Sequence, residues 1–320
     1  MSTDTSGYSD IDVRLSSDDV AVRRLAMTEL DDQVDGRHLA ILCRALSDDD
    51  VAIKRLALRY LEELGDPEAI PFIVTCLTDD SADVRAAAKS ALREFRDPAA
   101  GPPLMEAARS PEGRIRAGAV FGLRELRIVE AIPLLTSLAG DPDVDVRREV
   151  VMALGFMQHP QAVPVLVSAL GDEDAYVRRL AVGALALVHS EMNAKILVGM
   201  LDDSDWQVRQ EAVIALDKFS VELTSDGIVR ALSDPAWEVV KEAAMVAARK
   251  RIPAAPKLVP LLDHDQPDVR RAAVMALGQI KSSPDSIMKM LDDPDGDIRK
   301  AAQNALEGMG YQFRNGIVLH

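Results

Sequence analysis

One pattern recurs through nearly the whole chain, and it leaves few folds open. Val22-Arg23, Ile53-Lys54, Val84-Arg85, Ile115-Arg116, Val146-Arg147, Val177-Arg178 and Val208-Arg209 follow one another at intervals of 31 residues. Val239 keeps the interval, and Val269-Arg270 and Ile298-Arg299 follow at 30 and 29. A fixed period of this length marks a stack of supersecondary units, each too small to bury its own apolar face.

Each unit carries the signals of one helix. Three residues before the anchor stands Asp19, Asp50, Ser81, Glu112, Asp143, Asp174, Asp205 or Asp295, an acceptor placed to cap the free N–H groups of a helix start. Four residues after it stands alanine in every unit but one, where Val150 replaces it. Leucine follows eight after the anchor in nearly all units, from Leu30 to Leu306. Offsets 0, 4, 7, 8 and 11 make one buried stripe, with small residues at its centre so that neighbouring helices approach closely. A second helical segment precedes each of these. It opens with Ile70-Pro71, Gly101-Pro102, Ile132-Pro133 or Val163-Pro164 in four units, and proline suits a first helical turn. Asp48, Asp79, Asp141, Asp172, Asp203, Asp234 and Asp293 mark the turn between the two helices. Apolar residues make up 48% of the chain but aromatic ones only 4%, so the core is expected to be aliphatic and tightly packed. No strand is expected.

The signature D-x-x-V-R-x-x-A-x-x-A-L, as in DVDVRREVVMAL, resembles the HEAT-repeat family in the short form known from phycobilisome bilin lyases. The resemblance covers roughly residues 10 to 310. It implies an all-α fold, a right-handed α–α superhelix (HEAT-like solenoid) of about ten two-helix repeats. The family's repeated Asp and Arg form a ladder between adjacent turns, which is the role the resemblance implies for the series Arg23 to Arg299. Residues 1–9 are expected to be disordered, 10–310 to form one continuous domain, and 311–320 to be a tail that caps the last repeat or lies free.

Repeat 8 departs from the pattern, with Ala236 at the cap position and Val240 where arginine is expected, so that both expected partners of the ladder, the capping acid and the arginine, are lost together. Drift in one unit explains this, and so does a local change of curvature or a contact surface. Trp206 and Trp237 fall 31 residues apart at the same helix opening, which places them on one rim as binding anchors or as packing residues. Offset 6 lies nearly opposite the buried stripe and would ordinarily be polar. Here it reads Phe121, Met152, Gly183, Ile214, Met245 and Met275 over repeats 4 to 9. Phe156 at offset 10 widens the strip, and Glu149, Glu211 and Glu242 at offset 3 would edge it. Two placements are open: a groove on the concave side, or lateral packing between repeats. As a groove, the strip would dock a protein partner with a basic or amphipathic segment.

A net charge of −15 disfavours nucleic acid and anionic membrane as partners. Cys43 and Cys76 read as small buried hydrophobes in a reducing, cytoplasmic setting, and no signal peptide or membrane span is visible. Deoxyhypusine hydroxylase, a HEAT enzyme, holds iron with His-Glu pairs, and none of the five histidines here precedes a glutamate. No catalytic residues, metal ligands or cofactor are expected. The chain reads as a scaffold or adaptor, monomeric when unbound, and an assembly or maturation factor for a multi-subunit enzyme is a concrete version of that reading. The alternative that the resemblance implies is a bilin lyase or chaperone acting on a tetrapyrrole–protein conjugate.

Overall fold

Short polar acceptors start the second helix of each repeat. In the computed structural model, which describes residues 5–30, 34–314 and 317–319, Asp19, Asp50, Asp143, Asp174, Asp205 and Asp295 each accept an N–H of the first turn. Ser81 and Glu112, expected to act likewise, make no side-chain cap bond, and neither does Ala236. A glutamate is one methylene too long to fold back onto its own helix opening.

The chain divides into two compact units, Met1–Val165 and Leu166–His320. In the first, the second helices are Val20–Glu29, Val51–Leu64, Ala82–Glu94, Gly113–Glu125 and Val144–Met157, each packed on the next. In the second they are Ala175–Leu185, Trp206–Leu216, Trp237–Lys250, Pro267–Gln279 and Gly296–Met309, stacked in the same way. The preceding helices are shorter, several being a single α-turn continued as a 3-10 turn, such as Ile70–Ile73 with Val74–Thr78. The anchors, alanines and leucines of the repeat form the core: Ile53, Ala57 and Leu61, or Val208, Ala212 and Leu216, have no exposed surface. The architecture is all-α, as expected, apart from a terminal ribbon in which Gln312–Arg314 pairs antiparallel with Ile317–Leu319. That ribbon corrects the expectation of a strandless chain. Of the segment expected to be disordered, residues 1–4 lie outside the described residues, and a helix runs from Thr5 to Leu15. Residues 315, 316 and 320 of the tail also lie outside them.

The ladder exists, with a partner different from the one anticipated. Six basic residues of the series reach the turn aspartate of the following repeat rather than the capping aspartate. Arg23 Nε meets Asp48 at 2.7 Å, Lys54 meets Asp79 at 2.5 Å and Arg116 meets Asp141 at 2.6 Å in the first unit. Arg178 meets Asp203 at 2.8 Å, Arg209 meets Asp234 at 2.7 Å and Arg270 meets Asp293 at 2.9 Å in the second. The arginines grip through Nε and Nη2 and spend Nη1 on carbonyls of their own turn, as Arg209 does on Asp203 and Ser204. The turn aspartate also accepts the N–H two residues on, as Asp203 does from Asp205. One carboxylate thereby joins a turn, a helix start and the previous repeat.

Among the described residues two rungs lapse, and each lacks its acid. Arg85 faces a repeat whose turn residue is Ser110, and it bonds the carbonyls of Asp79 and Asp80. Val240 faces His264, whose Nδ1 accepts the N–H of Gln266 at 3.0 Å as an aspartate would, without the charge. The lapse at repeat 8 is therefore the loss of the pair Val240/His264, not of Val240 and Ala236. A buried arginine without that carboxylate would remain an uncompensated charge.

The rungs respond to acid. The Arg270 bond holds Asp293 below its ordinary range against the opposing effect of burial. Burial alone would push Asp203 up, but the bonds from Arg178 and from the Asp205 N–H bring it down. A carboxyl depressed by folding stabilises the native state above its unfolded value, near 3.9, and loses that contribution as pH falls through the folded value. Unfolding free energy should hold steady above about pH 5 and fall below it. Asp203→Asn/Asp293→Asn should flatten that fall in urea titrations at several pH values. A second prediction concerns the missing rung. Val240→Arg alone should destabilise, while Val240→Arg/His264→Asp should show a favourable coupling of about 1–2 kcal/mol in a double-mutant cycle.

Candidate functional site

Where the stripe of buried residues ends, the remaining surface of the second helices is free to carry a site. Each unit arranges that surface differently.

In the first unit the apolar strip is closed over at Phe121. Phe121 is only 3% exposed, so it does not front a groove as expected. Lys89 Nζ lies 4.6 Å and the Arg124 guanidinium 4.8 Å from its ring centre, with Arg93 at 5.6 Å. Glu149, expected to stand free beside the strip, is buried and accepts from Lys89 at 3.1 Å and Arg124 at 3.0 Å. Lys89 and Glu149 sit 60 residues apart and bridge over the intervening repeat. The cations desolvate the ring on one side and neutralise the carboxylate on the other, an arrangement that favours packing. Met152 is half-buried with its sulfur 3.6 Å from Arg124 Nη1, and Phe156 is exposed beneath the guanidinium of Arg127 at 4.5 Å.

The second unit keeps the apolar surface open. Ile214, Met245 and Met275 are 38%, 36% and 50% exposed at the same position of three successive repeats. Gly183 breaks the series one repeat earlier. A Cβ there would stand 3.3 Å from Glu211 Oε1, so the missing side chain leaves room for that carboxylate. Burial pushes the Glu211 carboxyl above its ordinary range, with Arg179 and Lys218 opposing. Glu242 accepts from Arg249 at 3.2 Å, and Arg249 also holds Asp217 at 2.8 Å. Two of the three acids expected to edge the strip are thus neutralised within the chain. Trp206 is the first residue of its helix and partly exposed, and Trp237 opens the next helix under the Lys241 ammonium at 5.3 Å.

Two adjoining hollows extend the open strip toward the end of the unit. One of about 290 Å³ lies among Met245, Ala248, Arg249, Arg251, Met275 and Gln279. The other, of about 620 Å³, shares Arg251, Met275 and Gln279 and continues to Lys281 and Asn304. Sequence reasoning missed Arg251 and Lys281, which fall between repeats; their signal was a shared offset of 12 from the anchors Val239 and Val269. Cys43 and Cys76 are buried thiols, both pushed up to about 11 by burial. Among the described residues no group of three metal-ligating side chains is placed to hold an ion, and no helix is long and apolar enough to cross a membrane.

The chain belongs to the HEAT-repeat family, whose model matches residues 11–93, 101–174, 163–249 and 225–307. The PBS lyase HEAT-like repeat also matches, over residues 84–110. The fold is similar to that of an engineered protein, with a TM-score of 0.52 and 21% identity over 95% of this chain and 98% of the other. It is likewise similar to importin beta, with a TM-score of 0.62 and 16% identity over 94% of this chain, which spans half the length of that protein. No curated protein sequence matches this chain.

The contrast between buried and exposed positions of the strip can be measured within the first unit. Phe121→Ala should cost about 3–5 kcal/mol in chemical unfolding, as for a buried aromatic residue. Phe156→Ala, exposed, should cost less than about 1 kcal/mol.

Proposed function

We propose that this chain is a non-enzymatic scaffold that binds a protein partner through the exposed row Ile214, Met245 and Met275. The observation that carries the reading is that row itself. Three large apolar side chains stay in water at equivalent positions of three repeats, while core positions of the same helices, such as Val208 and Leu216, are fully buried. Methionine adapts its shape to different apolar surfaces, and a row at repeat spacing suits an amphipathic helix lying along it. HEAT-repeat solenoids are commonly protein-interaction scaffolds, which supports the class of function. Trp206 and Trp237, on the helices that also carry Ile214 and Met245, would serve as anchors at the edge. A cytoplasmic setting agrees with two free, buried cysteines.

The acid edge that would favour a basic partner is weaker than the spacing suggested. Glu242 is already paired, and the carboxylate of Glu211 is partly buried against Gly183. Apolar contact is therefore the main source of affinity in this proposal. A narrower form is an assembly or maturation factor for a multi-subunit enzyme.

Ile214→Asp/Met245→Asp/Met275→Asp should keep the helical circular dichroism of the parent, since all three side chains are exposed. It should lose, at least tenfold in affinity, a partner that the parent retains. Unchanged retention would exclude the row. The bilin-lyase reading rests on the single repeat matched at 84–110. It predicts visible absorbance when a bilin is added to the purified protein, and the scaffold reading predicts none.

A further inference from the structure

The hollows beyond Met275 have a charge opposite to that of the chain. We infer that they receive an acidic amphipathic helix of a partner protein, with a carboxylate held by Arg251 and Lys281 and an apolar side chain on Met275. This rests on the scaffold reading of the adjoining row and adds the chemistry of the partner.

Acidic residues outnumber basic ones 52 to 37, yet among the described residues no aspartate or glutamate lines either hollow. The charged residues there are Arg249, Arg251 and Lys281. Arg249 is occupied by Asp217 and Glu242. Arg251 and Lys281 are exposed and have, among the described residues, no carboxylate within ion-pair reach. On the ladder and around Phe121, by contrast, cations such as Arg209, Arg270 and Arg124 are each held by a carboxylate.

Their backbone makes the pair more telling. Arg251 and Lys281 have φ of 54° and 52°, the left-handed conformation that closes a helix and that glycine adopts without strain. Gly65 fills the equivalent place in repeat 2 with φ of 61°. Any other side chain there costs on the order of 1 kcal/mol. At the same place in the first unit, Arg127 stacks on Phe156, so a structural contact accompanies the strained residue. Arg251 and Lys281 have no such ring, and long cations stand there in two successive repeats.

The floor between them is shaped for an occupant. Gly278, Ala301, Ala305 and Gly308 line the larger hollow. A Cβ on Gly278 would stand 2.7 Å from that of Ala305, so the two helices approach closely beside the hollow and only small side chains line that wall. Asn304 stands at offset 6, where the three preceding repeats carry Ile or Met, and its amide with that of Gln279 adds donors suited to a carboxylate.

The test uses the full chain and two fluorescein-labelled amphipathic peptides of about 18 residues, long enough to form a helix. Both share one Leu/Ala face, and glutamate in one is replaced by lysine in the other. By anisotropy the glutamate peptide should bind roughly tenfold more tightly, against the overall charge, with an advantage that shrinks as salt rises. Arg251→Gln/Lys281→Gln should reduce the difference to within about twofold, and glutamine tolerates the same backbone, as Gln158 shows with φ of 51°. Equal or tighter binding of the lysine peptide overturns the inference. So does an advantage that survives the double variant, and so does failure of both peptides to bind. Met245→Asp/Met275→Asp separates the two readings: if it weakens both peptides equally while the charge variant changes nothing, the apolar row stands and the anionic assignment falls.

Discussion

The joint between a basic side chain of one repeat and the turn aspartate of the next holds this architecture in register. Alanine and leucine packing alone would let stacked helices slide, because aliphatic surfaces have little directional preference. The guanidinium fork removes that freedom. It fixes a carboxylate with two bonds while its third nitrogen holds two carbonyls, as in Arg116 with Asp141, Ser110 and Pro111. The carboxylate then braces the N–H of Asp143, which itself caps the following helix. Each rung couples the orientation of one repeat to the start of the next.

The lapses follow from the same constraint. Where the turn acid becomes His264, the partner position holds Val240, which packs in the core. Where it becomes Ser110, Arg85 falls back on carbonyl oxygens. The two lapses differ: the charge is absent altogether at Val240, while Arg85 keeps its charge and satisfies it on the carbonyls of Asp79 and Asp80. Cations outside the ladder obey a related rule in the first unit, where Lys89 and Arg124 serve Phe121 and Glu149 together. Arg251 and Lys281 stand apart from both arrangements, exposed and with no carboxylate in ion-pair reach among the described residues.

Much of the fold was legible because its causes are local. The period of Val22 to Ile298, the capping aspartates and the alanine–leucine stripe depend on residues close in sequence, and they specify helices and their buried faces directly. The candidate surface was legible only in outline. Offset 6 identified the row of Ile214, Met245 and Met275, yet it gave Phe121 the same standing. What separates them is Lys89, Arg124 and Glu149, drawn from repeats 3, 4 and 5 to cover one ring. No periodicity within a single helix encodes that closure.

By itself the sequence determined the repeat, the two helices of each unit and the aliphatic core, since each follows from spacing along one chain segment, and its resemblance to HEAT repeats implied an Asp/Arg ladder. Tertiary structure decided which aspartate completes each rung, because the capping and turn acids are two residues apart and only the stacking distance between repeats selects one. It also decided which apolar positions stay in water and where cations are left unpaired. Those outcomes depend on side chains meeting across repeats 30 or 60 residues apart, where long arginine and lysine stems can reach several neighbours and only the assembled surface shows which they meet.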